Sequence, residues 1–372
     1  MKLFHLDAYK ETRKYLYLFD SLMKDENINK EYFLKDLGIN PGSYRRAKLS
    51  EQKIGKEIIA ILSKKYNFNL INNNDVDNLE ELINNIYYEI NYKNYENYNK
   101  FLLEIEKNIS KRNLLYPIHL LFKLFLLINS QKSVKKTIED NKYLFEELQR
   151  YSKIFTIELL EIYDYLTIAF SDNIKKELLS KNYSSGLSYS IISTKLLHNQ
   201  NYYERLYFAN KAKAIFLSEN NYKWVIYINF CILNNLSFTL DFEEYNKLAH
   251  EQYHTIKSFN ENSTEVNMAI KHLVVSLLAL SKYKEVIHLL NNKEEVTITE
   301  MFALIIAKYY YDNKNFHKWY QKEMEDLISD DDYSKLLSDL LKYLKNPEKK
   351  NLLKLKNYEV MSSLINVLKY KQ

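Results

Sequence analysis

The scarcity of turn-forming residues constrains the fold of this chain more than any other feature. Its 372 residues include only four glycines and three prolines. Hairpins, β-sandwiches and glycine-rich phosphate-binding loops need these residues at many of their turns. The sequence therefore predicts an all-α protein, and its length indicates more than one domain and a large buried core.

The stretch from Glu31 to Lys48, EYFLKDLGINPGSYRRAK, fits the pattern of a helix-turn-helix. Phe33, Leu34 and Leu37 are the inward positions of a short first helix. Gly38 stands where the tight turn needs a positive φ, which glycine adopts without steric penalty. The residue after it, Ile39, is predicted to fill the corner between the two helices.

The second helix of the motif is predicted from Pro41 to Ala47. Asn40 can cap it, and Pro41 lies in the first turn, where its missing amide hydrogen is not needed. Tyr44 is predicted to point inward, and the polar and basic residues around it remain free to reach DNA. The alternative is an ordinary helical hairpin with a solvated basic face. The candidate DNA-binding residues are Asn40, Ser43, Tyr44, Arg45, Arg46 and Lys48.

The net charge of +5 is located in the same part of the chain. Residues 1–70 hold 14 lysines and arginines and nine acidic residues, whereas the remainder holds 39 of each. Within residues 41–66 there are seven basic residues and two acidic ones. An excess of this kind is what neutralisation of DNA phosphates requires, although a solvated basic face would show it too.

The rest of the chain has the pattern of helix pairs with short polar breaks, and the pattern repeats. An aromatic residue followed three residues later by another bulky apolar residue recurs every 33–41 residues and is predicted to start a helix each time. Two helices per unit of this length indicate an α-solenoid, and the alternative is an irregular helical bundle. The four copies begin at Tyr203, Phe242, Tyr283 and Phe316. The last three follow longer apolar helices, predicted at Tyr222–Leu240, Thr264–Leu280 and Thr297–Tyr311.

These observations predict four segments. Residues 1–68 form the helix-turn-helix domain, and the polar residues 69–78 form a linker. Residues 79–356 form the tetratricopeptide-like repeat domain, and residues 357–372 form a C-terminal helix. That helix, Tyr358–Tyr370, has no following repeat to cover its apolar stripe, so it is predicted to cap the array or to form a dimer interface.

The sequence His250-Glu-Gln-Tyr-His254 matches the H-E-x-x-H pattern of zinc proteases, with Glu261 or Glu265 as a possible third ligand. It falls in the second helix of a repeat, in phase with helices that lack such a pair. We therefore interpret the histidines as surface residues and predict neither catalytic activity nor a metal site or cofactor.

Three further features of the sequence bear on the class of protein and on its cellular compartment. The single cysteine, Cys231, excludes an intramolecular disulfide framework. The N-terminus has no apolar run, and Leu114–Ile128 is too short to span a bilayer, so we expect a soluble cytoplasmic protein without membrane contact. The 34 tyrosines could stack on single-stranded nucleic acid, but their helical spacing indicates core positions instead.

A helix-turn-helix followed by degenerate tetratricopeptide repeats, in a chain rich in lysine, asparagine, isoleucine and tyrosine, resembles the Gram-positive peptide-pheromone regulators. That group includes the Rgg, PlcR and PrgX regulators and the phage lysis–lysogeny receptors. The resemblance covers nearly the whole chain and rests on LKDLGINPGSYRRA and on repeat fragments such as YYERLYFANKAKAIFLSENN. It implies that the repeats bind a short secreted peptide in a concave groove, where asparagines clamp the peptide backbone.

In an α-solenoid the first helix of each pair lines the concave face, so polar residues there are available to a ligand. An amide can donate and accept together, which suits a peptide backbone, and a lysine can hold a carboxylate. The alternative is that these asparagines face solvent or cap turns. The candidate peptide-binding residues are Asn229, Asn234, Asn235, Asn267, Lys271 and Lys308.

The sequence therefore predicts a sequence-specific transcriptional regulator under quorum-sensing-type control by a short signalling peptide. One motif of this size contacts a short half-site of double-stranded DNA, so we expect a homodimer on a palindromic operator. The alternative is a tetratricopeptide-type module that sequesters a partner protein and does not bind DNA.

Overall fold

The structure of the protein is a computed structural model. It describes residues 3–10, 13–49, 54–69, 72–92, 96–108, 113–130, 133–196, 201–259, 264–291, 293, 296–323, 331–356, 358 and 361–371. Across these residues the chain forms 22 α-helices and no β-sheet; the one extended contact is an isolated bridge between Asn69 and Asn113. The prediction of an all-α protein is confirmed for the part of the chain that is described.

The chain divides into two compact units. Unit 1 contains Met1–Asn199 and Lys211–Trp224, and unit 2 contains Gln200–Asn210 and Val225–Gln372. The boundary therefore passes through two helices, α13 (Tyr202–Ser218) and α14 (Tyr222–Thr239). The sequence-based limits of the domains, with a boundary at residue 68, stay a prediction.

Unit 1 begins with a small cluster of helices. Its first two helices, Asp7–Lys10 and Arg13–Asp25, are described on either side of residues 11–12, which lie outside the described residues. The helices of this cluster contain buried apolar side chains, among them Leu16, Leu34 and Leu62. These helices are α1 (Asp7–Lys10), α2 (Arg13–Asp25), α3 (Lys30–Asp36), α4 (Pro41–Leu49) and α5 (Ile54–Tyr66).

The remaining helices of unit 1 pack in sequence. Each of α6, α8 and α10 contacts the next of these three, and α7 and α9 cover their outer side. This order explains why α8 is buried nearly all round, whereas α7 and α9 have one exposed face. The helices are α6 (Asn73–Asn91), α7 (Tyr98–Asn108), α8 (Tyr116–Ile128), α9 (Val134–Gln149), a short 3-10 helix (Ser152–Ile154), α10 (Ile157–Phe170), α11 (Lys176–Leu179) and α12 (Gly186–Leu196).

Hydrogen bonds join the N-terminal segment directly to the helices that follow it. The Tyr9 hydroxyl donates to the carbonyl oxygen of Ile154 at 2.9 Å, and the Ser21 hydroxyl donates to that of Arg150 at 2.9 Å. The backbone N–H of Leu6 donates to the Glu80 carboxylate at 2.7 Å. Helix α6 begins at Asn73, so residues 73–78 of the predicted linker are helical.

Unit 2 also packs in chain order. Helix α16 contacts α15, α17 and α18, and α18 contacts α19 and α20. The long apolar helices predicted from Thr264 and Thr297 are present as α16 and α18. These helices are α15 (Phe242–Phe259), α16 (Thr264–Ala279), α17 (Tyr283–Asn291), α18 (Ile298–Tyr311), α19 (Asn313–Glu323), α20 (Asp331–Lys345), α21 (Lys349–Leu355) and α22 (Ser362–Tyr370).

The C-terminal helix α22 is packed within unit 2. It contacts α16 and α21, and the Tyr370 ring lies 4.9 Å from that of Phe242. The apolar stripe predicted on this helix is therefore covered by the chain itself, apart from Val360, which lies outside the described residues. The buried members of the stripe are Met361, Leu364, Ile365 and Leu368.

Many helices end in the same way despite the shortage of glycine. Among the described residues, six helices are followed by a residue with positive φ, and the next backbone N–H donates to a carbonyl five residues earlier. Only one of the six residues is glycine; asparagine, serine and even leucine adopt the left-handed conformation at the others. The six residues are Asn27, Gly38, Asn67, Asn220, Leu240 and Ser281.

Within the part of the chain that the structure describes, none of the helices combines the length and the apolar character of a bilayer-spanning segment.

Candidate nucleic-acid interface

Helices α3 and α4 are joined by a tight connection that follows the predicted pattern. Gly38 has a φ of +73°, and the N–H of Ile39 donates to the carbonyl oxygen of Leu34 at 2.8 Å. Apart from the adjacent residues, no described atom would lie within 4 Å of a Cβ atom at Gly38, so the glycine is needed for its conformation and not for space. Ile39 and Leu34 are buried, as expected for the corner between the helices.

The start of α4 is capped as the sequence predicts. The side-chain oxygen of Asn40 accepts hydrogen bonds from the backbone N–H groups of Gly42 at 2.8 Å and Ser43 at 3.2 Å. Pro41 is the first residue of the helix. This cap satisfies two of the N–H groups that a helix start leaves unpaired, and it fixes the direction in which α4 leaves the turn.

Tyr44 and Ala47 are the side chains by which α4 is anchored. Tyr44 is 1 % exposed, and its hydroxyl shares its one hydrogen between the carbonyl oxygen of Leu16 at 2.8 Å and the Asp20 carboxylate at 2.9 Å. Burial raises the pKa of Tyr44, so the phenol stays protonated. Tyr44 therefore positions α4, and its inward orientation leaves it no surface to offer DNA.

The Asp20 carboxylate bonds to side chains on two other helices, and the sequence does not predict this role. It accepts hydrogen bonds from the ammonium groups of Lys30 and Lys48 as well as from Tyr44. Burial alone would raise the pKa of Asp20, but the hydrogen bonds from Lys30, Lys48 and Tyr44 together lower it. The carboxylate thus joins α2 to the beginning of α3 and the end of α4. Its partners lie 10, 24 and 28 residues away, beyond the range of a periodicity argument.

The other predicted DNA contacts divide into two groups. Arg45 and Arg46 are exposed, Ser43 is half-buried beside them, and the Arg46 guanidinium lies 3.4 Å from the Ser43 hydroxyl. Lys48 instead points back to α2, where it also lies 4.5 Å from the centre of the Tyr17 ring. Of these predicted contacts, Ser43, Arg45 and Arg46 therefore lie on the solvent-facing part of α4, which also includes the exposed residues Gly42 and Leu49.

Two of the predicted peptide-binding residues on α14 are interior. Asn235 is fully buried and donates to the carbonyl oxygen of Tyr202 at 2.8 Å, and Asn229 donates to the side-chain oxygen of Gln252 at 2.9 Å. Their amides therefore link α14 to the helices before and after it in the chain. Asn234, between them, is exposed.

The predicted residues on the next two apolar helices have a different environment. Asn267 is exposed and Lys271, one turn further along α16, is half-buried. Lys308 on α18 lies 5.2 Å from the centre of the Trp319 ring. Four of the six predicted peptide contacts therefore have solvent-accessible surface: Asn234, Asn267, Lys271 and Lys308.

The H-E-x-x-H motif lies on α15. The rings of His250 and His254 are 6.4 Å apart and line an open cavity of about 410 Å³ together with His288. Burial, followed by the charges of Lys282 and His254, lowers the pKa of His250. Among the residues that the structure describes, no group of three or more histidine, cysteine or acidic side chains is arranged to hold a metal ion. Of the two further ligands considered, Glu265 is exposed and Glu261 lies outside the described residues.

Comparison of the chain with protein-family models, with curated protein sequences and with solved structures gives no match.

Proposed function

We propose that the protein is a transcriptional regulator that binds double-stranded DNA through a helix-turn-helix formed by α3 and α4. The observation that carries the proposal is the division of α4 into two faces. Tyr44 and Ala47 anchor it to the N-terminal cluster, whereas Arg45 and Arg46 face solvent. An α-helix with its side chains is about 10–12 Å across, which matches a major groove about 12 Å wide.

The charge of the N-terminal segment supports the same proposal. All of the excess of five positive charges lies within residues 1–70. Such charges provide the sequence-independent part of DNA affinity, and arginines on an exposed helix provide bidentate contacts to guanine. We expect one of Arg45 and Arg46 to reach a base edge and the other mainly a phosphate.

The helices from α6 onward form, in this proposal, a tetratricopeptide-like sensor for a short signalling peptide. The packing of neighbouring helices in chain order, from α6 to α10 in unit 1 and from α15 to α19 in unit 2, supports a repeat array. Asn267 and Lys271 lie one turn apart on α16 and are the best-placed pair for a peptide backbone and its carboxylate. In this proposal the homodimer uses a surface other than the buried stripe of α22.

The proposal is tested with the full-length protein and a random library of DNA duplexes. Repeated selection should enrich one sequence, and fluorescence anisotropy then gives its affinity. Replacing Arg45 and Arg46 with alanine should weaken binding about 5- to 150-fold, because a bidentate base contact is worth about 1–3 kcal/mol. The matched control replaces Lys135 and Lys136, an exposed basic pair on α9, and should bind as tightly as the wild type.

Two results would overturn the proposal. One is a library from which the wild-type protein enriches no sequence. The other is an Arg45→Ala/Arg46→Ala protein that binds the selected duplex as well as the control does. Either result would favour the alternative of a repeat module that holds a protein partner.

A further inference from the structure

A basic groove lies beside the last turn of α4, within unit 1. Its volume is about 290 Å³, and it is bordered by α2, by the end of α4 and by the segment that links α9 to α10. The cationic side chains in its wall come from three separate parts of the chain. They are Lys24, Lys48, Arg150 and Lys153, and the two carboxylates are those of Asp20 and Asp25.

The carboxylates do not neutralise this groove. Asp20 is already bonded to Lys48 and to Lys30 outside the groove. Asp25 lies 3.4 Å from Arg150, and both side chains are well exposed. Among the described residues, Lys24 and Lys153 have no carboxylate partner, and both are exposed. The groove therefore has an excess of two positive charges.

The position of the groove is fixed by direct contacts. The Ser21 hydroxyl donates to the backbone carbonyl of Arg150, and the Tyr9 hydroxyl donates to that of Ile154, each at 2.9 Å. The Lys14 ammonium donates to the carbonyl oxygen of Phe155 at 3.3 Å. Because α2 is bonded on one side to α4 and on the other to residues 150–155, Lys153 and the last turn of α4 border the same groove.

The neighbourhood of α4 indicates what the groove would bind. Lys48, in the wall of the groove, follows Arg45 by one helical turn. A helix inserted in a major groove has the phosphates of one strand along each side, because the groove is hardly wider than the helix. Lysines beside such a helix are therefore in the place where a phosphodiester backbone passes, and they bind it as point charges without reading sequence.

We infer that this groove is a second contact for the DNA backbone, in which Lys153 and Arg150 from the repeat region add to the phosphate contacts of the N-terminal helices. The inference rests on the proposed function. It extends the DNA-binding surface beyond residues 1–68 to a segment that no sequence motif marks.

The test measures the affinity of the full-length protein for its selected duplex at several salt concentrations. Each neutralised phosphate adds about 0.9 to the slope of log K against log [salt]. Lys153→Ala should therefore lower the slope by about 0.9, and Lys24→Ala/Lys153→Ala should lower it by about 1.8. Both variants should weaken specific and non-specific duplexes by the same factor, since phosphates carry no sequence information.

Three controls keep the outcome interpretable. Both lysines are exposed and unbonded to carboxylates, so thermal unfolding of the variants should match that of the wild type. Lys135→Ala/Lys136→Ala changes two exposed lysines of unit 1 that lie outside the groove, and it should leave the slope unchanged. Lys153→Glu should weaken binding further than Lys153→Ala, because it places a like charge against the phosphate.

An unchanged slope in the Lys24→Ala/Lys153→Ala protein would overturn the inference while leaving the proposed function intact, provided that Arg45→Ala/Arg46→Ala still weakens binding. If the wild type enriches no duplex at all, the proposed function fails, and this inference fails with it.

Discussion

Replacement of Asp20 by asparagine tests whether its carboxylate holds the N-terminal helices together. The substitution keeps the size of the side chain but removes the charge that faces the ammonium groups of Lys30 and Lys48. A hydrogen bond to a charged group contributes about 1.5–3 kcal/mol, and Asp20 accepts three bonds. The side chains of Asp20, Lys48 and Lys30 are 22 %, 24 % and 40 % exposed, so water replaces part of each interaction. We therefore expect a loss of about 2–3 kcal/mol instead of the full sum.

The measurement is native-state hydrogen exchange, which reports the local free energy of opening helix by helix. Protection should fall in α2, α3 and α4 and change little in unit 2. The matched control is Asp25→Asn, whose carboxylate has one exposed partner at 3.4 Å and should contribute at most about 1 kcal/mol. A loss in Asp20→Asn no larger than that in Asp25→Asn would refute the role assigned to Asp20.

The pH dependence of this difference has a definite sign. The pKa of Asp20 is lower in the folded chain than its ordinary value of 3.8. Its stabilising contribution is therefore complete above the unfolded-state pKa and is lost as the pH falls through the lower folded-state pKa. The free energies of unfolding of wild type and Asp20→Asn should show their whole difference at pH 7, and this difference should shrink as the pH falls below 3.8.

Three further substitutions test the packing and the helix ends, each by denaturant unfolding. Gly186→Ala should destabilise the protein by about 1–3 kcal/mol, because its new methyl group would lie 2.6 Å from the Phe216 ring, and Phe216→Leu should relieve this. Leu240→Gly should stabilise by about 0.5–1 kcal/mol because Leu240 has a φ of 61°, whereas Leu240→Ala should not stabilise, since alanine retains the left-handed strain. Tyr245→Phe should cost about 1–3 kcal/mol, because it removes the buried hydroxyl that lies 2.7 Å from Nδ1 of His272; no loss would show that water replaces the bond. Burial lowers the pKa of His272 to about 3, so its contribution to stability should fall by about 1.4 kcal/mol per pH unit between pH 6.5 and 3.

The sequence predicts helices best where apolar residues fill one long, continuous segment. The predicted limits of α16 and α18 agree with the structure to within one residue at each end. The sequence does not predict helix α12, because Ser188, Ser190 and Ser193 are all buried in it and leave no apolar stripe. Helix α20 was also missed, although Leu336, Leu340 and Tyr343 have helical spacing and could have indicated it.

The candidate interface could be predicted as far as local geometry defines it. The turn at Gly38, the cap at Asn40 and the inward position of Tyr44 depend on residues within a few positions of each other. Which polar side chain faces a neighbour depends on distant parts of the chain. Asn235 was expected to face a ligand, but it bonds to Tyr202, 33 residues earlier. The groove lysine Lys153 stands beside α4 only because the intervening helices fold back.

The hydrogen bonds from α2 to residues 150–155 have a consequence for how two such chains would read an operator. A DNA-reading helix on a flexible tether can accept half-sites at many separations, because the tether adjusts its length and direction. Here α4 is bonded through α2 to residues 150–155 of unit 1, so in the proposed dimer its position relative to that unit is set by folded structure and not by a tether. Operators whose half-sites are shifted by a single base pair would change both the separation and the angular phase of the half-sites, and the proposed dimer could not follow them by moving α4 without breaking these hydrogen bonds.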